Sequence, residues 1–79
     1  MNQTDVITKL QTIFDDLLMD PSTLTPATAA KDVPEWDSLI HISIIVEVEK
    51  EFDIRFRVGE VETCKNVGEL ADLIIVRCA

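Results

Sequence analysis

The segment from Leu39 to Phe52 constrains the fold most, because its composition and its periodicity predict different structures. Its many β-branched residues, and the alternation of apolar and polar residues over 40–44, favour a strand. The alternation fails at Ile45 and Val46, where apolar residues follow one another. A helix of about sixteen residues, capped by Asp37 or Ser38, instead explains a stripe of apolar residues at helical spacing. The stripe consists of Ile40, Ile44, Val48 and Phe52.

The chain before this segment reads as a helix followed by a long loop. Apolar residues at helical spacing over 6–18 predict an amphipathic helix that begins at a Thr4 cap and ends at the Asp20-Pro21 step. Residues 21–36 contain all the prolines and many small polar residues, which is typical of a loop with at most a short helical turn. Two apolar side chains are expected to fix this loop to the core: Leu24 and Val33.

The chain after the segment predicts one short helix and one longer helix. Residues 58–63 are long enough for one or two helical turns, although Gly59 disfavours them. Apolar residues over 67–74 form a helical face, and Asn66 with Glu69 three positions later resembles a capping box. We therefore predict an all-α fold with three main helices, one short helix and a long loop after the first helix.

Composition excludes several classes of partner and site. The 79 residues form one small domain with a net charge of −8, which repels nucleic acids and anionic membranes and favours basic patches on other proteins. The apolar content of 47% is broken up by charges, so stable membrane insertion is not expected. Cys64 and Cys78 lack metal-ligand spacing and we expect free thiols, no metal site and a cytoplasmic protein.

The stretch VPEWDSLIHI, residues 33–42, concentrates the only tryptophan, the only histidine and a serine at a predicted helix start. Ser38 and His41 lie three residues apart, as a nucleophile and its base could, but no orienting group or oxyanion hole is evident. A serine in the first helical turn is also accessible to a modifying enzyme, and the helix N-terminus suits an attached phosphate. From the residues alone, a simple capping role for Ser38 also remains open.

The order of elements, with Asp37-Ser38-Leu39 at the start of the second helix and the EKEFDI run at its end, resembles the acyl carrier proteins over essentially the whole chain. The resemblance implies an acyl-carrier-like four-helix bundle forming a single domain, 1–79, that is monomeric and not an enzyme. It also implies that Ser38 carries a covalent 4′-phosphopantetheine arm, whose thiol holds acyl groups as thioesters for successive enzymes.

The same resemblance implies residues that bind partners. Asp37 and Leu39 match positions that contact the phosphopantetheinyl transferase, and Glu47 and Glu51 match an acidic surface that docks on basic patches of acyl-transferring or synthase enzymes. Three residues differ from those of general fatty-acid carriers and predict partners from a specialised lipid, polyketide or related pathway: Trp36, Ile40 and His41. Arg55 and Arg57 add positive charge where general fatty-acid carriers tend to be acidic, and they favour the same interpretation.

The resemblance also implies that the acyl group enters between the helices. The matching positions are Ile44, Val48, Phe56, Cys64 and Leu70, all of which also fit ordinary core positions. A peptidyl or aminoacyl carrier would share the fold and the arm, but its glycine-rich attachment motif does not match Glu35-Trp36-Asp37. A helical interaction module whose serine is never modified is the remaining alternative.

Overall fold

Three α-helices and two 3₁₀ turns form the fold of a computed structural model that describes residues 2–19, 23–57 and 59–78. Helix α1 is Gln3–Leu17, α2 is Ser38–Phe52 and α3 is Val67–Cys78. The 3₁₀ turns are Ala30–Asp32 and Val61–Thr63, and the described residues contain no strand. The predicted all-α fold is confirmed, with the fourth helix reduced to the second 3₁₀ turn. Val58, where that helix was predicted to begin, lies outside the described residues.

Helix α1 begins earlier than predicted, because Asn2 rather than Thr4 is its N-cap. The Asn2 side-chain oxygen accepts a hydrogen bond from the backbone N–H of Asp5 at 2.8 Å. The side chain of Gln3 then reaches α3, where its amide donates to the carbonyl oxygen of Gly68 at 3.2 Å. The helix ends at Leu17, and the predicted stop at Asp20-Pro21 lies outside the described residues.

Helix α2 has the apolar stripe that the sequence predicts. Ile44 and Val48 are buried, while Ile40 and Phe52 are half-buried and pack against the core. Asp37 is the N-cap, and its carboxylate accepts from the N–H of Ile40 at 2.9 Å. At the other end Glu49 accepts from the N–H of Phe56 at 2.9 Å, which ties the following segment back to the helix.

The long loop packs on the core and caps α3. Leu24 and Val33 are both buried, which confirms their predicted role. The carbonyl oxygens of Pro26 and Thr28 accept hydrogen bonds from the N–H groups of Gly68 and Val67 at 2.9 and 2.7 Å. The loop backbone therefore satisfies N–H groups that the first turn of a helix leaves without intrahelical partners.

The predicted capping box at α3 forms only in part. The Asn66 side chain accepts from the N–H of Glu69 at 2.9 Å, as expected. The Glu69 carboxylate, however, accepts from the N–H of Lys65 at 3.2 Å, one residue before the predicted donor.

An ion pair between Glu60 and Arg77 joins the segment before the second 3₁₀ turn to the end of α3. Nε and one terminal nitrogen of Arg77 each donate a hydrogen bond to the Glu60 carboxylate. Both side chains are partly buried. The hydrogen bond from Arg77 and one from the N–H of Arg57 lower the pKa of Glu60 below its ordinary value of 4.5.

This ion pair predicts how stability depends on pH. A glutamate whose pKa is lower in the folded state stabilises the fold above its unfolded pKa, near 4.5, and this contribution is lost as the pH falls through the folded pKa. We therefore expect Glu60→Gln to be less stable than the wild type at neutral pH, with the difference shrinking below about pH 4.5. Urea unfolding at both pH values tests this, and a difference independent of pH would contradict it.

Candidate functional site

Ser38 is the first residue of α2 and its side chain is exposed. The preceding residues turn tightly, since Trp36 N–H donates to the carbonyl of Val33 and Asp37 N–H to that of Glu35, at 3.0 and 2.9 Å. Because Asp37 provides the N-cap, the Ser38 hydroxyl is not needed to start the helix. A phosphate attached to that hydroxyl would lie at the positive end of the helix dipole, where negative charge is favoured. The residues present therefore fit a phosphate-linked group.

His41 lies one turn beyond Ser38, and both nitrogens of its ring lie close to other residues. Its Nδ1 accepts a hydrogen bond from Trp36 Nε1 at 3.0 Å, and its Nε2 lies 3.4 Å from Oε1 of Glu62. One ring nitrogen is thus bonded to Trp36, and the other lies close to Glu62 without a hydrogen bond to it. This geometry disfavours the hypothesis of a Ser38–His41 catalytic pair.

Trp36 fixes the loop to the bundle. Its ring makes an edge-to-face contact with Phe14 of α1, with centroids 5.1 Å apart, and stacks on His41 at 6.1 Å. Trp36 and His41 are both half-buried, so the two residues hold the loop end against α2 while leaving part of each ring accessible.

An exposed apolar stripe runs along α2 from the residue after Ser38. Leu39, Ile42 and Val46 are 77%, 58% and 43% exposed, and their spacing places them on one face. Of these, only Leu39 was predicted as a partner-binding residue. Ile42 and Val46 were missed, although α2 has more apolar residues than one buried face requires, and that excess is the sequence signal for them.

The two predicted docking acids lie on another side of α2, beside a groove towards α1. Glu47 is 3.8 Å from the Lys50 ammonium, and Glu51 is 3.9 Å from that of Lys9. Each carboxylate therefore has a basic neighbour on the same molecule, and such exposed pairs contribute little to stability. Their role in docking stays a prediction.

A cavity of about 200 Å³ lies behind His41 and receives two of the five residues predicted for the acyl pocket. Cys64 and Leu70 line it, together with Trp36, His41 and Val61. Ile44 and Val48 are buried in the core and Phe56 packs against it, and none of these three lines the cavity. Glu62, from the second 3₁₀ turn, contributes to the cavity wall and was not predicted from the sequence.

Partial burial in this wall raises the pKa of the Cys64 thiol, and the nearby carboxylates of Glu69, Glu60 and Glu62 add to the effect. The thiol therefore stays protonated and is a poor nucleophile. Cys78, by contrast, is exposed.

This contrast predicts different reactivity of the two free thiols. A maleimide should modify Cys78 at least about tenfold faster than Cys64, because the reactive species is the thiolate, and Cys64 is less accessible and has a raised pKa. Peptide mass spectrometry over time measures both rates. Unfolding in urea should remove the difference, and equal rates in the folded protein would contradict the described environment of Cys64.

Comparison with known proteins identifies the family of the chain. The sequence model of the family described as "Phosphopantetheine attachment site" matches residues 8–74, most of the chain. The chain belongs to the acyl carrier protein family. It is similar to the acyl carrier proteins of Thermosynechococcus vestitus, at 31% identity over 94% of this chain and 93% of that protein, and of Rubrobacter xylanophilus, at 30% over 95% and 94%.

The fold of this acyl carrier protein is also similar to a solved structure. The solution NMR structure of holo acyl carrier protein from Geobacter metallireducens has a TM-score of 0.81 and 41% identity, covering 91% of this chain and 84% of that one. The predicted family, fold and covalent 4′-phosphopantetheine are thereby confirmed. Among the described residues, no helix is long and apolar enough to span a bilayer, and no group of three metal-ligating side chains occurs.

Proposed function

We propose that Ser38 carries the 4′-phosphopantetheine arm and that the protein shuttles acyl groups between enzymes of a specialised lipid, polyketide or related pathway. The observation that supports Ser38 is its exposed hydroxyl at the first position of α2, next to a cap supplied by Asp37. The thiol of the arm supplies the acyl attachment point. The protein itself presents the arm, contacts the partner enzymes and catalyses no step.

The residues around Ser38 support partners outside general fatty-acid synthesis. The surface of α2 beside the serine is apolar, with Leu39 and Ile42 exposed, while His41 is bonded to Trp36. A partner that reads this surface needs an apolar contact as well as a basic patch for the overall negative charge.

The proposal is tested by intact mass after incubation with a promiscuous phosphopantetheinyl transferase and coenzyme A. We expect one added phosphopantetheinyl group, whose thiol then accepts an acyl group. An unchanged mass with several transferases would favour the unmodified interaction module. Loading only with aminoacyl groups by the enzymes encoded beside the protein would favour the aminoacyl carrier.

The apolar stripe of Leu39, Ile42 and Val46 predicts a docking effect on the transferase. Ile42→Lys should lower kcat/KM for arm attachment by about tenfold or more, because burying an isoleucine is worth about 1.5–3 kcal/mol and the lysine adds a desolvation cost. Val76→Lys is the matched control, since Val76 is similarly exposed, at 65%, but lies on α3. Equal effects of the two substitutions would contradict a specific docking role for the stripe.

A further inference from the structure

The groove beside Ser38 and the cavity behind α2 share one wall. The groove, of about 500 Å³, is lined by Ser38, Asp37 and Ile42 in addition to that wall. The cavity, of about 200 Å³, continues past the wall to Val61, Cys64 and Leu70, and its lining also includes the polar residues Lys65 and Asn66. The four residues common to both are Ala30, Trp36, His41 and Glu62. A group attached to Ser38 would therefore reach the apolar cavity by passing His41 and Glu62.

The hydrogen bond from Trp36 determines the tautomer of His41. An indole N–H can only donate, so Nδ1 of His41 must carry the lone pair that accepts this bond at 3.0 Å. In the neutral imidazole the proton then resides on Nε2. Nε2 of His41 is consequently a hydrogen-bond donor.

This donor is buried and makes no hydrogen bond to any described residue. The closest carboxylate oxygen, Oε1 of Glu62, is 3.4 Å away and is not aligned to accept the bond. Buried donors nearly always have an acceptor, so an unsatisfied one beside a cavity indicates where a ligand atom fits. The side chain of Glu62 is 59% exposed and can move aside without disturbing the core.

The size and lining of the cavity restrict the group that can enter. An engineered apolar cavity of about 150 Å³ holds benzene, so about 200 Å³ accommodates roughly eight non-hydrogen atoms. Val61, Cys64 and Leu70 favour a hydrocarbon chain, whereas His41 at the mouth favours an oxygen atom.

We propose that the cavity receives a short acyl group bearing an oxygen substituent, and that His41 is a specificity-determining residue that donates from Nε2 to this oxygen. Glu62 covers the donor until the acyl group displaces it. A saturated acyl group of the same length enters the same cavity but leaves the donor unsatisfied. The inference rests on the proposed attachment of the arm to Ser38.

The test compares 3-hydroxyhexanoyl and hexanoyl groups, each loaded on the arm from the corresponding coenzyme A thioester. Proton–nitrogen NMR observes the indole N–H of Trp36, which is the only tryptophan and is bonded to His41. We expect the hydroxylated group to shift this resonance more than the saturated one. The rate of cleavage by hydroxylamine is measured for each loaded acyl group relative to its free pantetheine thioester. By this measure the hydroxylated group should be protected about fivefold better than the saturated one, the factor expected from one neutral hydrogen bond.

His41→Phe is the decisive variant, because it keeps a ring of similar size and removes the donor. It should protect both acyl groups equally, with circular dichroism showing that the fold is retained. Equal protection in the wild type, or a preference that survives His41→Phe, would overturn the role of His41. Failure to load any group on Ser38 would instead refute the proposed function.

Discussion

Ser38→Ala is expected to abolish attachment of 4′-phosphopantetheine completely while leaving the fold unchanged. The hydroxyl provides the oxygen to which the phosphate is joined, and alanine has no substitute for it. The side chain is exposed, and the N-cap of α2 is Asp37, so little stability depends on the serine. Intact mass after transferase treatment measures attachment, and thermal unfolding measures the fold.

Two further substitutions, one on α2 and one at its N-cap, separate attachment of the arm from stability of the fold. Ser43→Ala changes a half-buried serine on α2 and should accept the arm normally. Asp37→Ala removes the bond to the N–H of Ile40 and should lower the free energy of unfolding by about 0.5–2 kcal/mol. A Ser38→Ala variant that still gains the mass of the arm would place the attachment at another residue.

Phe14→Ala is expected to remove a large fraction of the free energy of unfolding. Phe14 is the largest of the fully buried side chains, and truncating a buried phenylalanine costs about 3–5 kcal/mol. A domain of this size has roughly 4–12 kcal/mol of stability in total, so the loss is a large fraction of it. The substitution also removes the ring contact that holds Trp36, so the tryptophan fluorescence should change.

Urea unfolding followed by circular dichroism measures this loss. Met19→Ala is the control, because Met19 is 96% exposed and surface substitutions rarely change stability by more than about 0.5 kcal/mol. Phe14→Leu should retain enough structure for a full unfolding curve if Phe14→Ala does not. A loss below about 1 kcal/mol for Phe14→Ala would contradict the packing described for α1.

The elements of the fold that could be predicted are those indicated by the local pattern of apolar residues. The buried apolar stripe of α2, with Ile44 and Val48 at its centre, predicts a helix correctly although the β-branched composition favours a strand. A helix buries the whole stripe on one face. The loop anchors Leu24 and Val33 are also predictable, since they are isolated apolar residues in a polar segment.

Features that depend on tertiary contacts could not be predicted. Asn2 and Thr4 are both good caps, and α1 begins at the earlier one, where the following residue, Gln3, also bonds to α3. Residues 61–63 form only a 3₁₀ turn. The segment is short and follows Gly59, so it has little intrinsic tendency to form a longer helix.

Some features of the candidate site can likewise be predicted from local sequence, and others depend on tertiary contacts. Ser38 and its cap follow from a local motif, and the exposed stripe on α2 could have been inferred from its excess of apolar residues. Glu62 approaches His41 from a distant part of the chain, so no local pattern indicates the contact. The bond between Trp36 and His41 also depends on how the loop turns into α2.

A fragment mass spectrum of the protein after loading with an acyl-phosphopantetheinyl group tests most directly whether Ser38 carries the acyl group. We expect the peptide containing Ser38 to carry the whole group, and hydroxylamine to remove the acyl part from this peptide while the arm stays on the serine. An unmodified Ser38 peptide with the added mass on another residue, or an acyl group that resists hydroxylamine even in the isolated peptide, would contradict this assignment.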